Sequence, residues 1–143
     1  GQIVISGSFE GVKKVMELCK NAGAKMVKEL VVSSAFHSPL MFSAKEKLKS
    51  ALDSTYFYNS KFPVYTNVTA RPVEGITEIK SKLYEQITAP VRWEETIKNM
   101  IDEGIEEFYE VGPGNVLQGL VKRINPDVKR FGIDKFEDVE KYL

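Results

Sequence analysis

The sequence predicts an α/β fold, on three observations. Stretches with strand character alternate with amphipathic helical stretches, turn signals built from glycine, asparagine and proline separate them, and 143 residues suffice for one ordinary core. Apolar residues make up 43% of the chain and charged residues 28%, which is globular rather than disordered composition. Twenty basic side chains cancel twenty acidic ones, so nucleic-acid binding has no electrostatic support at the level of the whole chain. Cys19 is the only cysteine and His37 the only histidine, which excludes an internal disulfide framework and a zinc set of soft ligands. No apolar run approaches the ~20 residues needed to cross a bilayer, and nothing near Gly1 resembles a secretory signal. The expectation is a soluble, cytoplasmic protein.

The elements follow in order. Gln2-Ile3-Val4-Ile5-Ser6 reads as a strand that starts almost at the first residue, so its sheet partners are expected upstream in a longer parent. Val12, Val15, Met16 and Cys19 share one face of a helix that Asn21-Ala22-Gly23 stops, and residues 25–30 read as a second strand, parallel to the first if both join one sheet. Residues 31–41 (VVSSAFHSPLM) have no clean period. Leu40, Ala44, Lys47, Leu48 and Leu52 then trace a helix face. Residues 62–68 read as a strand and 71–75 as a turn; Thr77 is the expected cap of a helix through Ile79, Leu83 and Ile87, ended by Pro90. Trp93, Ile97, Met100 and Ile101 mark the next helix, closed by Gly104. A strand over 105–111, the turn Gly112-Pro113-Gly114, a helix through Val116, Leu117, Leu120, Val121 and Ile124, a strand over 128–133 and a short helix over 136–143 complete the chain.

Few residues here can carry chemistry. His37 lies in the irregular stretch after a strand, where folds place working residues, and imidazole is the side chain suited to general acid/base work at neutral pH. Ser33, Ser34 and Ser38 are its sequence neighbours, but nucleophile and base normally come from separate segments, and no Gly-x-Ser-x-Gly elbow occurs. Cys19 reads as a small buried hydrophobe rather than a nucleophile. The chain holds a base without its nucleophile. Free amides after Gly112-Pro113-Gly114-Asn115 could receive an anion, although a tight strand-to-helix turn is the simpler reading without a following Lys-Ser/Thr. Arg92 either holds a carboxylate or phosphate or pairs locally beside a core Trp93. The lysine-rich faces (Lys45, Lys47, Lys49; Lys80, Lys82) read as solvated surface or as a docking patch for an acidic partner.

Taken in order, several motifs resemble bacterial malonyl-CoA:acyl-carrier-protein transacylases. They are Gln2 to Gly7, Ala22-Gly23-Ala24-Lys25, Phe36-His37-Ser38-Pro39-Leu40-Met41, Thr66-Asn67-Val68-Thr69-Ala70, Pro90-Val91-Arg92-Trp93 and Glu110-Val111-Gly112-Pro113-Gly114-Asn115-Val116-Leu117. The resemblance spans essentially the whole chain and implies the C-terminal part of such an enzyme. Residues 1–32 would form part of a ferredoxin-like small subdomain (β-α-β). Residues 33–143 would form the C-terminal part of an α/β-hydrolase-like large subdomain. The family's nucleophilic serine elbow, its glutamine-containing oxyanion loop and the arginine that pairs with the malonyl carboxylate have no matching motif here. His37 matches the family's catalytic histidine, and Gln86 matches the residue whose backbone carbonyl orients it.

The resemblance implies malonyl transfer from malonyl-CoA to the phosphopantetheine thiol of acyl carrier protein through a serine acyl-enzyme in fatty acid synthesis. No cofactor or metal is required, and the isolated chain is expected to be inactive. Lys45 and Lys49, or Lys122 and Arg123, are candidate contacts for an acidic carrier, and open sheet edges make self-association an expectation. The alternatives are a non-catalytic module that binds acyl carrier protein and a fragment of a polyketide-type acyltransferase. A catabolic hydrolase is disfavoured, since its serine too would lie outside the chain.

Overall fold

The computed structural model describes residues 1–142 and divides into two compact units, one over Gly1–Val91 and one from Arg92 onward. In the first unit, helix α1 (Phe9–Asn21) begins where the Ser8 hydroxyl accepts Gly11 N–H at 3.2 Å. Val12, Met16 and Cys19 are half-buried on one side of it, while Val15 is exposed. The flanking segments 2–6 and 25–30 depart from the strand reading: neither is paired in a sheet, and Ile3, Val4, Ile5, Met26 and Leu30 are exposed. A strand is defined by its ladder. Apolar spacing without a partner strand does not make one.

A three-residue 3₁₀ turn (Pro39–Met41) leads directly into helix α2 (Phe42–Ser54). The buried side of α2 carries Ala44, Leu48 and Leu52, with Lys45 half-buried beside them; Lys47 and Leu40, expected on that face, are exposed. The strand expected over 62–68 shrinks to β1 (Val64–Tyr65), which pairs antiparallel with β2 (Pro72–Val73) in the register Val64 to Val73 and Tyr65 to Pro72. The connecting turn explains the shortening. Ala70 N–H reaches Thr66 O at 3.0 Å, the Thr66 and Thr69 hydroxyls meet at 2.8 Å, and Thr69 Oγ1 accepts Arg71 N–H at 3.3 Å. Hydroxyl side chains thus offer the backbone a turn in place of a ladder. Helix α3 (Ile76–Gln86) starts from Gly75, not Thr77: Gly75 has φ +86°, a conformation that favours glycine, and Glu78 Oε2 accepts Glu74 N–H at 3.4 Å.

The second unit has a closed core. Helix α4 (Trp93–Asp102), strand β3 (Glu107–Val111), helix α5 (Val116–Ile124) and strand β4 (Lys129–Ile133) make an α-β-α-β order in which β3 and β4 pair in parallel, Glu107 opposite Lys129 through Val111 opposite Ile133. Ile97, Val121 and Val128 are buried together, with Trp93, Met100, Ile101, Phe108 and Ile124 packed around them. The indole Nε1 of Trp93 is buried and has no hydrogen-bond partner among the described residues. The expected last helix is a 3₁₀ segment over Phe136–Tyr142; Leu143, its expected final residue, lies outside the described residues. Tyr142 stands edge-on to Tyr109 and Phe131, rings that stack across β3 and β4 with centroids 4.7 Å apart.

Candidate active site

His37 is held by its backbone and its ring. It occupies a left-handed conformation, φ +60°, in an otherwise irregular stretch. Ser38 follows with 4% exposure; its hydroxyl donates to Ala35 O at 2.7 Å and accepts Leu40 N–H at 3.3 Å. These two bonds pin the turn around His37 and use the Ser38 hydroxyl in doing so. The His37 N–H donates to Ile87 O at 3.1 Å, and the imidazole Nδ1 lies 2.9 Å from Gln86 O. The structure therefore brings His37 and Gln86 together across 49 residues of sequence.

The chemistry of that contact follows from what a carbonyl can do. It has no proton to give, so a hydrogen bond at Nδ1 requires the proton to sit on Nδ1. The neutral ring then presents its lone pair at Nε2, on an exposed side chain. Gln86 is the last residue of α3, and Ala89 N–H also reaches its carbonyl, at 3.4 Å. The acceptor thus belongs to the carbonyl end of a helix, where backbone carbonyls lack intrahelical partners. The arrangement can fix the orientation and the tautomer of a general base.

Most other candidate residues have partners of their own. The amides at the start of α5 are already occupied by carboxylates of the same chain. Glu110 accepts Leu117 N–H at 3.0 Å and Gln118 N–H at 2.9 Å, and Asp134 accepts Gly114 N–H at 3.0 Å. These backbone donors hold the Glu110 carboxyl below the usual carboxylate range. The simpler reading of that glycine turn is the one its geometry supports. Arg92 pairs locally: its guanidinium meets Glu95 through Nε at 2.9 Å and through Nη2. Cys19 is a free, half-buried thiol on α1. Lys49 pairs with Asp53 at 2.8 Å, Lys82 with Glu85 at 2.9 Å, and Lys80 donates to Thr55 O at 3.1 Å. Lys122 and Arg123 lie in the last turn of α5. Among the described residues no acidic, histidine or cysteine group could hold a metal ion, and no helix is long and apolar enough to cross a membrane.

What sequence reasoning missed is the set of contacts around Gln86. Lys45 Nζ donates to Thr88 Oγ1 at 3.3 Å and sits 4.4 Å from the Tyr84 ring centroid, while Tyr84 OH donates to Glu46 Oε1 at 2.6 Å. The available signal was the place of Lys45 one residue after Ala44 and three before Leu48, on the apolar side of α2.

Residues 1–131 match the family model of the acyl transferase domain. The malonyl CoA-acyl carrier protein transacylase of Bacillus subtilis is 46% identical over 140 residues, 98% of this chain and 44% of that protein. The acyl-carrier-protein-S-malonyltransferase of Bartonella henselae superposes with a TM-score of 0.91 at 36% identity, over 96% of this chain and 44% of that one. A malonyl-transacylase solved in complex with a type II PKS acyl-carrier protein superposes with a TM-score of 0.90 at 34% identity, again over 96% of this chain and 44% of that one. The chain spans less than half the length of these relatives. With most of its length inside the family model and a fold closely similar to these solved structures, the chain belongs to the acyl transferase domain family.

Proposed function

We propose that this chain is the histidine-bearing part of a malonyl-CoA:acyl-carrier-protein transacylase of cytoplasmic fatty acid synthesis, with His37 as general base. The observation that carries the reading is the 2.9 Å contact from Nδ1 to the Gln86 carbonyl, which leaves Nε2 free to accept a proton. The serine comes from polypeptide outside this sequence, which contains no serine elbow. In the first half-reaction Nε2 takes the serine proton as Oγ attacks the thioester carbonyl; the C–S bond breaks, and the CoA thiolate recovers the proton from the imidazolium. In the second, Nε2 takes the proton of the carrier's phosphopantetheine thiol, the thiolate attacks the serine ester, the C–O bond breaks, and serine regains its proton.

A backbone carbonyl stabilises the imidazolium less than a carboxylate would. It suffices here because a thioester is activated and a thiolate leaves readily. On this reading residues 1–32 belong to the small subdomain and 33–143 to the large one, and the chain alone forms no acyl-enzyme. A polyketide carrier is a second acceptor to consider, because one related structure holds a type II PKS acyl-carrier protein.

The test is transfer of radiolabelled malonyl groups by the full-length protein that carries this sequence, assayed with fatty-acid and polyketide carriers in parallel. His37→Ala is expected to lower transfer by about 10²- to 10⁴-fold. Near-normal turnover in that variant overturns the assignment.

A further inference from the structure

We propose that Lys45 is a positioning residue for His37: from α2 it braces the last turn of α3, and so holds the Gln86 carbonyl where the imidazole Nδ1 meets it. The inference deepens the function proposed above and rests on that reading's use of His37 as the base.

The contacts surround Gln86 on both sides. Before it, the Lys45 ammonium stands over the Tyr84 ring, and the neighbouring Glu46 accepts a 2.6 Å hydrogen bond from the Tyr84 hydroxyl. After it, Lys45 Nζ donates to Thr88 Oγ1, and that hydroxyl donates onward to Glu85 O at 3.4 Å. One side chain on α2 thus touches residues 84 and 88, and between them lie the two carbonyls, of Gln86 and Ile87, that receive the His37 ring and backbone.

The side chain suits the place. A cation beside the carbonyl end of α3 is favoured by the helix dipole, and its stem is half-buried along α2 rather than extended into water. Lys47 and Lys49 on the same helix differ: both are exposed, and Lys49 pairs with Asp53 within α2. Each bracing contact is modest. The hydrogen bond it governs, however, weakens steeply with misalignment. If the last turn of α3 rotates, the Nδ1 bond loosens and the tautomer with its proton on Nε2 gains population. That tautomer cannot accept a proton at Nε2, so the loss falls on the chemical step rather than on substrate binding.

The experiment uses the full-length protein that carries this sequence, with Lys45→Met, Lys45→Arg and Thr88→Val. The readouts are nitrogen-15 NMR of the imidazole tautomer, kcat for malonyl transfer, and KM for malonyl-CoA and for the carrier. Lys45→Met is expected to raise the Nε2–H tautomer and lower kcat on the order of tenfold, with both KM values held within roughly twofold. Lys45→Arg is expected to restore most of the loss. Should Lys45→Met not fold, Thr88→Val removes the same contact from the other side and decides by the same readouts.

An unchanged tautomer and kcat in Lys45→Met, alongside a dead His37→Ala, overturns the inference. So does a raised carrier KM at unchanged kcat, which would make Lys45 a docking contact instead. If His37→Ala itself turns over normally, it is the proposed function that fails, and the tautomer ratio still decides the role of Lys45.

Discussion

From Arg92 onward the chain closes a core of its own, whereas residues 1–35 contain no fully buried side chain among the described residues. Both stretches have apolar residues at strand and helix spacing. They differ in whether the partners are present. In the second unit, α4 and α5 cover Val128 and half-buried Phe108, and β3 and β4 satisfy each other's backbone in a parallel ladder. In the first 35 residues, Ile3 is 88% exposed and 2–6 has no ladder. Hydrophobic pattern proposes an element, and a hydrogen-bonded partner makes it. The candidate site lies between these extremes: His37 itself is exposed, but backbone bonds and one buried hydroxyl hold it.

Replacement at the buried extreme breaks the comparison most. Ile97→Ala in a side chain 1% exposed is expected to cost about 2–5 kcal/mol, read from the midpoint of urea unfolding. Ser38→Ala is next. It removes a buried hydroxyl that makes two hydrogen bonds beside His37, at about 1–3 kcal/mol, and a smaller loss would show that the His37 turn holds itself without it.

Glu110→Gln probes the cap on α5 through pH. The folded Glu110 carboxyl is held below its unfolded value by the Gln118 and Leu117 amides. Its contribution to stability is therefore present above the unfolded value and disappears as pH falls through the folded one. Wild-type stability should fall more steeply than the variant's on acidification below the ordinary carboxylate range, and parallel acid limbs would remove the cap from the account. The smallest effect is expected at the exposed extreme. Val4→Ala in this chain should stay within about 0.5 kcal/mol, and amide exchange should find 2–6 unprotected while β3 and β4 are protected.

Much of the second unit was legible because its signals are local and its partners are near in sequence. Trp93, Ile97, Met100 and Ile101 recur at helical spacing, and Gly104 ends the helix in the left-handed conformation that favours glycine. The 62–68 stretch misled because its apolar residues suggested a longer strand while Thr66 and Thr69 used their hydroxyls to turn the chain. Thr77 was the better cap on side-chain chemistry, but Gly75 supplied the backbone angle that the entry into α3 required. At the site, His37 stood out as the only imidazole in an aperiodic stretch, and the motif around it pointed to Gln86 by resemblance. Neither signal indicated that Lys45, Glu46, Tyr84 and Thr88 meet around that carbonyl.

By itself, the sequence determined the α/β class, the order of most elements, the exclusion of an internal disulfide and of a soft-ligand zinc set within this chain, and the one residue suited to proton transfer near neutrality. Only the tertiary structure decided which apolar stretches became strands, which glycine turn was filled by the chain's own carboxylates, and which nitrogen of His37 is tied down. The reason is physical. Periodicity and turn chemistry act over a few residues and can be read along the chain, whereas a hydrogen bond between residues 37 and 86 depends on the irregular His37 turn meeting the end of α3, and no local pattern encodes that approach.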